Sequence, residues 1–440
     1  MVIKKDIKTE KVYNSLLATT FLFAFLPGMG FVFKNQFISY FLVFSSIFIF
    51  LIIIVLNFQI LNFFQNYVSI ALIFILMMIY LNSLISINFY LFEINDFYFN
   101  QLKGLIKFTI GILIALCIYH SKKSFENYIE VSIYIVILFT LLFGIFEYSF
   151  KFLDLKYSFF KIFMNFINVD GKIYHMHLVM TGREHSYSAL ILTSLSSFVF
   201  LKIFEKKNII LNIVILLFFT FFLIHNFSKL GYFLYFTTLI LIFFIKFKNF
   251  NYKHLILILL CVIPFLLIYN NLIHEIFFIQ YKKIINLDLH SAYLKYIGAK
   301  ISILSFMDYP LGIGINNFKN VLFNNEFYIF ETFKKYYELR EGYTSSYLNM
   351  DSGFFYFGFL LEVGLIAFII FFFLLFGSFL KILRYHLIKD LNINIFTTWA
   401  LINVYISFVS LLSFHNYGIW FIFLSLGLSL RQCKFLSNWN

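Results

Sequence analysis

Arg183, Glu184 and His185 stand consecutively at the mouth of a long apolar run. A guanidinium is a planar fork whose spacing matches two phosphate oxygens. A carboxylate or imidazole beside it can take the proton of an attacking hydroxyl. The three together suit phosphate binding beside a proton acceptor; the competing reading is interfacial anchoring. A second cation, Lys229, lies in the turn His225-Asn226-Phe227-Ser228-Lys229-Leu230-Gly231 between two apolar runs. A lysine snorkelling to the interface competes there with anion binding. A third set is strung along the polar interval 272–351: His290, Lys295, Lys300 and Arg340, closing on Asp351. Set opposite Arg183 and Lys229, these cations would form a pocket for a phosphorylated lipid head group. Arg340 is the preferred member because of its fork, although a solvated helix face is the plainer reading of any one of them alone.

Asp351-Ser352-Gly353 opens an apolar run, so Asp351 either caps a helix or accepts a proton. Glu362, about three turns into that run, must be paired or face a cavity. His415-Asn416 reads as structural. His175-Met176-His177 has an HxH spacing without Cys or clustered carboxylates, so neither a metal site nor a cofactor is expected.

Such residues need a scaffold, and here the scaffold is apolar. Of the 440 residues 62% are hydrophobic and only 12% charged. A soluble domain is about a quarter charged, so the composition points to an all-helical, polytopic membrane protein. The net charge of +13 then marks cytoplasmic loops rather than a nucleic-acid partner. Cys117, Cys261 and Cys433 are too dispersed for a disulfide framework or a zinc pattern. The basic start (Lys4, Lys5, Lys8, Lys11) leads into an apolar run without a small-residue cleavage site, which reads as a retained first helix.

A bilayer core takes about 20 apolar residues per helix. That ruler predicts about twelve spans, near 13–33, 37–57, 67–90, 104–120, 128–150, 185–204, 208–226, 228–246, 254–270, 352–380, 393–413 and 416–431. With the N-terminus inside, Lys122-Lys123, Lys202 with Lys206-Lys207, Lys246 with Lys248 and Lys253, Lys381 with Arg384 and Lys389, and Arg431 with Lys434 all fall on the cytoplasmic side. Only the 58–66 turn lacks positive charge. Both termini are therefore expected inside. Two extracytoplasmic segments are too long for turns: 151–184, aromatic with spaced lysines, which suits an interfacial helix, and 272–351, before the tenth span. Within the latter, Tyr293, Tyr296, Ile297, Ile301 and Leu304 recur at helical spacing. Pro310-Leu311-Gly312-Ile313-Gly314 ends that helix. No internal repeat and no second domain is evident; the long loop reads as a cap on one bundle.

The span entrance Gly182-Arg183-Glu184-His185-Ser186-Tyr187-Ser188, the turn Phe227-Ser228-Lys229, the loop sequence Pro310-Leu311-Gly312-Ile313-Gly314-Ile315-Asn316-Asn317-Phe318, then Asp351-Ser352-Gly353 and Leu361-Glu362-Val363-Gly364-Leu365-Ile366 together resemble the O-antigen polymerase and ligase superfamily. The resemblance covers topology throughout and short motifs over about 180–365. It implies an inverting, metal-independent glycosyl transfer at the periplasmic side of the bacterial cytoplasmic membrane. The implied donor is a glycan on undecaprenyl diphosphate; a chain-length regulator protein is an implied partner. Family arginines in the two outside loops hold the diphosphate, and by position these resemble Arg183 and Arg340. The family turn usually carries Ser-Arg where this chain has Ser228-Lys229. Ligases have a His at the end of the long loop where this chain has Asp351.

That last departure favours a polymerase joining lipid-linked repeat units over a ligase transferring polymer to lipid A–core. In the expected mechanism Arg183, Arg340, Lys229 and Lys295 bind the diphosphate as charge develops on it, and Glu184, Asp351 or His290 assists the incoming hydroxyl. A flippase is the rival of another class; it would need charges along a midplane path.

Overall fold

The computed structural model describes residues 11–12, 14–15, 17–18, 66–89, 97–152, 185–205, 208–226, 229–246, 290–315, 317–318, 355–388, 394–409 and 418–437. Among them all regular structure is helical, in eleven helices without a strand. In chain order these are α1 (Tyr67–Phe89), α2 (Phe97–His120), α3 (Phe125–Phe152), α4 (His185–Phe204), α5 (Ile209–Asn226), α6 (Lys229–Lys246), α7 (His290–Asp308), α8 (Phe355–Val363), α9 (Leu365–Ile388), α10 (Ile395–Val409) and α11 (Gly418–Ser437).

Three helices are long and apolar enough to cross a membrane: α1 over Tyr67–Ser86, α3 over Phe125–Ser149 and α9 over Leu365–Leu387. Each turns an apolar stripe outward. On α3 the exposed residues are Val131, Ile135, Leu138, Leu142 and Ile145, spaced by alternating fours and threes, which places them on one helix face. Such a stripe costs free energy in water and little in lipid. The apolar stretches within α2, α4, α5, α6 and α10 are shorter, at 10–17 residues. The spans expected near 13–33 (beyond a few helical residues at its start), 37–57 and 254–270, and the segment 153–184, lie outside the described residues.

The core runs through α4, α10 and α11. Every residue of α4 from Ser188 to Ile203 is buried, as is every residue of α11 from Trp420 to Cys433. α11 lies along α2, and α4 packs on α5, α6 and α10. Phe108, Phe359, Phe371 and Phe423 interlock with ring centroids 4.9–5.8 Å apart, and Trp399 donates from Nε1 to the Ser194 carbonyl at 3.0 Å. A buried indole usually finds such a partner.

Contacts between helix ends sort the bundle into two faces. On one, Ser69 meets His120, Lys202 pairs with Glu130 at 2.8 Å, and Asn394 donates to Glu126. That face gathers the start of α1, the end of α2, the starts of α3 and α10, and the ends of α4 and α11. It also carries Lys122, Lys123, Lys202, Arg431 and Lys434. The opposite face brings together the end of α1 with the start of α2, through Gln101 and Ser86, and the end of α3 with the end of α5, through Tyr148 and His225. The cations of the first face thus lie together at one set of helix ends among the described helices.

Three expectations are corrected. The tenth span, expected as one helix over 352–380, is two: α8 and α9 meet at Gly364, whose φ of +87° no continuous helix contains. Lys381 and Arg384, expected in a loop at 381–390, lie on α9, where Ile382 is buried and the two cations are exposed. Arg431, expected at the cytoplasmic edge of the last span, and Cys433, expected in the C-terminal tail, lie on α11 and are buried. On α7, Ile301 is buried as its spacing predicts, but Leu304 is exposed. The inner face of that helix includes the small residues Ala299, Ser302 and Ser305, which permit close approach to α8.

Arg431 is the largest charged side chain in the core, and its donors are used. Nη1 donates to Glu126 Oε1 at 2.9 Å, Nε to Ser121 Oγ at 2.9 Å and Nη2 to the Lys122 carbonyl at 2.6 Å. Glu126 also accepts from Gln432 at 3.1 Å and from Asn394 at 2.7 Å. Removing one member of a buried pair strands the other. The two amides still serve Glu126, so Arg431→Met is expected to cost about 2–3 kcal/mol, at or below the lower end for a broken buried pair. Thermal unfolding in detergent measures this, and adding Glu126→Gln should recover part of the loss. An additive double variant would mean that the pair itself contributes nothing.

Candidate functional site

Pro310 closes α7, and the turn that follows lies across the α8–α9 break. A helix end leaves four carbonyls without intrahelical donors. Those of α8 are each served. The Leu360 carbonyl accepts from Gly364 N at 3.0 Å, that of Leu361 from Ile313 N at 3.0 Å and that of Glu362 from Gly314 N at 3.0 Å; the Val363 carbonyl accepts from Asn82 Nδ2. Three of the four donors come from elsewhere in the chain. The first amide of α9 is used in the same way: Leu365 N donates to the Pro310 carbonyl at 3.1 Å. The break is thus a stapled joint between α7, α8, α9 and α1.

Glycine is required where the two strands of this joint cross. Gly312 has a φ of +99° and Gly364 of +87°, in the half of backbone space that side chains disfavour. A Cβ on Gly364 would meet the Leu311 carbonyl, and one on Gly312 would lie 2.8 Å from the Glu362 carbonyl oxygen.

Beneath the turn lies an uncharged polar cluster. Asn317 Nδ2 donates to the Ile313 carbonyl at 2.6 Å and to Ser86 Oγ at 3.3 Å. Gln101 Nε2 donates to Ser86 Oγ at 2.8 Å and to the Ser83 carbonyl at 3.0 Å. Ser86 Oγ in turn donates to the Ser83 carbonyl at 2.8 Å. Gln101 Oε1 and Ser83 Oγ find no hydrogen-bond partner among the described residues, and buried groups of this kind take a water or a hydroxyl. Glu362 completes the site. It is 0% exposed, and its Oε1 accepts from Phe318 N at 3.3 Å. The joint holds a turn in place with neutral donors and one carboxylate.

The residues singled out in the sequence fall as follows. Arg183, Glu184, Arg340 and Asp351, with His175, His177 and His415, lie outside the described residues. Lys229 opens α6, His290 opens α7 and Lys295 lies in the second turn of α7. His185 opens α4, which packs on α6, so His185 and Lys229 open neighbouring helices. α7 packs on α8, so His290 and Lys295 belong to the helix that feeds the joint. Sequence reasoning found Glu362 and the Pro310 turn, with Asn317 in its motif, but passed over Asn82, Ser86 and Gln101. Their signal was present: an amide inside or beside an apolar helix must be hydrogen-bonded to something.

No family model, no curated protein and no solved structure matches this chain.

Proposed function

We propose that this chain is a polymerase of lipid-linked oligosaccharide repeat units, moving a glycan from undecaprenyl diphosphate to the end of another lipid-linked repeat by an inverting, metal-independent transfer. The observation that carries the reading is the stapled joint. Pro310–Asn317 and Leu361–Gly364, two motifs in the order that resembles the superfamily, fold directly onto each other through Ile313, Gly314 and Leu365. The chain between them contains Arg340 and Asp351. In the proposed mechanism Arg183, Arg340, Lys229 and Lys295 bind the diphosphate and stabilise its growing charge as the glycosidic C–O bond to phosphate breaks. Glu184, Asp351 or His290 takes the proton of the acceptor hydroxyl as that oxygen bonds to the anomeric carbon. The active site faces the periplasm, and the face bearing Lys122, Lys202 and Arg431 is cytoplasmic, following the positive-inside rule.

Among the described residues the buried charges Glu126, Glu147, Lys202, Glu362 and Arg431 all lie within two turns of a helix end. Glu362 alone sits at a break between helices, and no row of charges accompanies it there, which favours an enzyme over a flippase.

The purified protein in vesicles, given lipid-diphosphate-linked repeat units and nothing else, is expected to produce a ladder of glycan lengths. Recovery of only the input unit would overturn the reading, and transfer to added lipid A–core without a ladder would identify the ligase instead. A chelator is expected to leave the ladder unchanged. Loss of product with EDTA, restored by a divalent cation, would contradict the metal-independent mechanism.

A further inference from the structure

We propose that the outward face of α9 between Phe373 and Arg384 binds one anionic phospholipid, with an acyl chain in a notch at Gly377 and the phosphate on Lys381 and Arg384. Phe373, Phe376, Gly377, Leu380, Lys381 and Arg384 are all exposed. Their spacing by threes and fours puts them on one side of the helix.

The apolar part of this face is a row of bulky side chains with one gap. A Cβ on Gly377 would meet nothing within 4 Å, so neither Phe373 nor Lys381, a turn to either side, covers it. Other helical glycines have a reason inside the fold. Gly111 makes room for the Phe423 ring, Gly144 for the Phe222 ring and Gly427 for the backbone of Ala115. Gly377 makes room for nothing in the protein, although glycine is a poor helix former. A hydrocarbon chain lying against α9 would use that room.

The charges complete the site. Lys381 lies about 6 Å and Arg384 about 10 Å along the helix axis from Gly377. Cys433 Sγ donates to the Ser378 carbonyl at 3.5 Å, which sets this end of α9 beside the end of α11, at the basic face. The carboxylates of that face are engaged elsewhere, Glu126 with Arg431 and both Glu130 and Glu205 with Lys202. Among the described residues Lys381 and Arg384 make no ion pair. Two cations without a counter-charge, at the end of a lipid-facing stripe, match a phosphodiester whose chains lie along the stripe. A zwitterionic head group carries its own ammonium beside its phosphate and gains less from them, so the site selects net negative charge. α9 runs unbroken from Leu365, in the joint, to these cations. A lipid held here therefore fixes the depth of the helix on which the joint is built. The inference goes beyond the polymerase reading and rests only on α9 crossing the membrane.

The test titrates the full chain in detergent with phosphatidylglycerol or with phosphatidylcholine of the same acyl chains, counting bound lipid by native mass spectrometry. One phosphatidylglycerol should bind about 20-fold more tightly than phosphatidylcholine, since each cation contributes about fivefold. Lys381→Gln and Arg384→Gln should each remove about fivefold of that preference. Gly377→Leu fills the notch without changing charge and should weaken both lipids about tenfold, as for about two methylenes no longer buried. Lys123→Gln, an exposed cation in the turn between α2 and α3, should change binding less than about twofold. Equal binding of the two lipids, or a preference that survives both glutamine substitutions together, would overturn the proposal. An equal loss in Lys123→Gln would mean that the whole basic face attracts anions and that α9 holds no site. Undiminished binding in Gly377→Leu would remove the acyl chain from the notch. A dimer in lipid-free detergent that Gly377→Leu dissociates would give the notch to a second copy of this chain instead. If Gly377→Leu fails to insert, Lys381→Gln and Arg384→Gln decide.

Discussion

Gly364→Ala is expected to lower stability by about 4 kcal/mol, the sum of backbone strain at positive φ and of the turn's lost hydrogen bonds. The φ of +87° alone costs a side-chain-bearing residue about 1–2 kcal/mol. The greater part comes from contact. The new Cβ would meet the Leu311 carbonyl, with Gly312 N only 3.1 Å away, and both are backbone atoms that no rotamer change can move aside. Either the turn lifts, or α8 and α9 shift apart. In both cases the bonds from Ile313 N, Gly314 N and Leu365 N, each 3.0–3.1 Å, are lost together, and the carbonyls of Leu361 and Glu362 are left buried without donors. Gly377→Ala is the control. It lies in the middle of α9, where a Cβ would meet nothing within 4 Å, so alanine should be neutral or stabilise by up to about 1 kcal/mol through helix propensity. Thermal unfolding of both variants in one detergent compares them directly. Equal midpoints would mean that Gly364 is an ordinary helical glycine and that the joint is not where the stability lies.

The contrast between those glycines shows what was legible in the sequence and what was not. The start of α1, the end of α4 and the start of α5 lie within a residue or so of the edges of the expected spans 67–90, 185–204 and 208–226. An apolar run ends where Lys, Asn or Asp begins, and that edge is written in composition. The α8–α9 break is not, because Phe and Leu continue on both sides of Gly364. Its existence depends on donors at Ile313 and Gly314, about 48 residues away in sequence. Arg431 is a similar case. A positive charge near a helix end reads as a cytoplasmic marker, but its burial is decided by Glu126, 305 residues earlier. The lone carboxylate at Glu362 was conspicuous in the sequence because charge in lipid is costly; the neutral amides of Asn82 and Gln101 were diluted by the hydropathy around them. The chemistry-bearing cations were legible as types, and Lys229, His290 and Lys295 now have places at or near the starts of α6 and α7. The roles assigned to them still rest on what a diphosphate requires.

That requirement makes the largest functional prediction. Arg183→Ala should abolish long polymer while leaving insertion and unfolding temperature unaltered. The leaving group of the proposed transfer is a diphosphate whose charge rises as the glycosidic bond breaks, and a fixed donor aimed at that charge contributes about 100- to 1000-fold in rate. An arginine beside an apolar helix end can give two parallel N–H···O bonds; alanine gives none. Arg183→Lys separates charge from geometry. It keeps the positive charge and loses the fork, so it should retain a small part of the activity and make shorter chains. The reverse experiment is available at Lys229, where the superfamily that the turn resembles usually carries Ser-Arg and this chain has Ser228-Lys229. If that turn also meets the diphosphate, Lys229→Arg should be tolerated or raise the rate, while Lys229→Ala lowers it. Unchanged polymer length in Arg183→Ala would remove the diphosphate site from this helix mouth. An Arg183→Lys variant as inactive as Arg183→Ala would show that the paired donors, and not the charge, carry the effect.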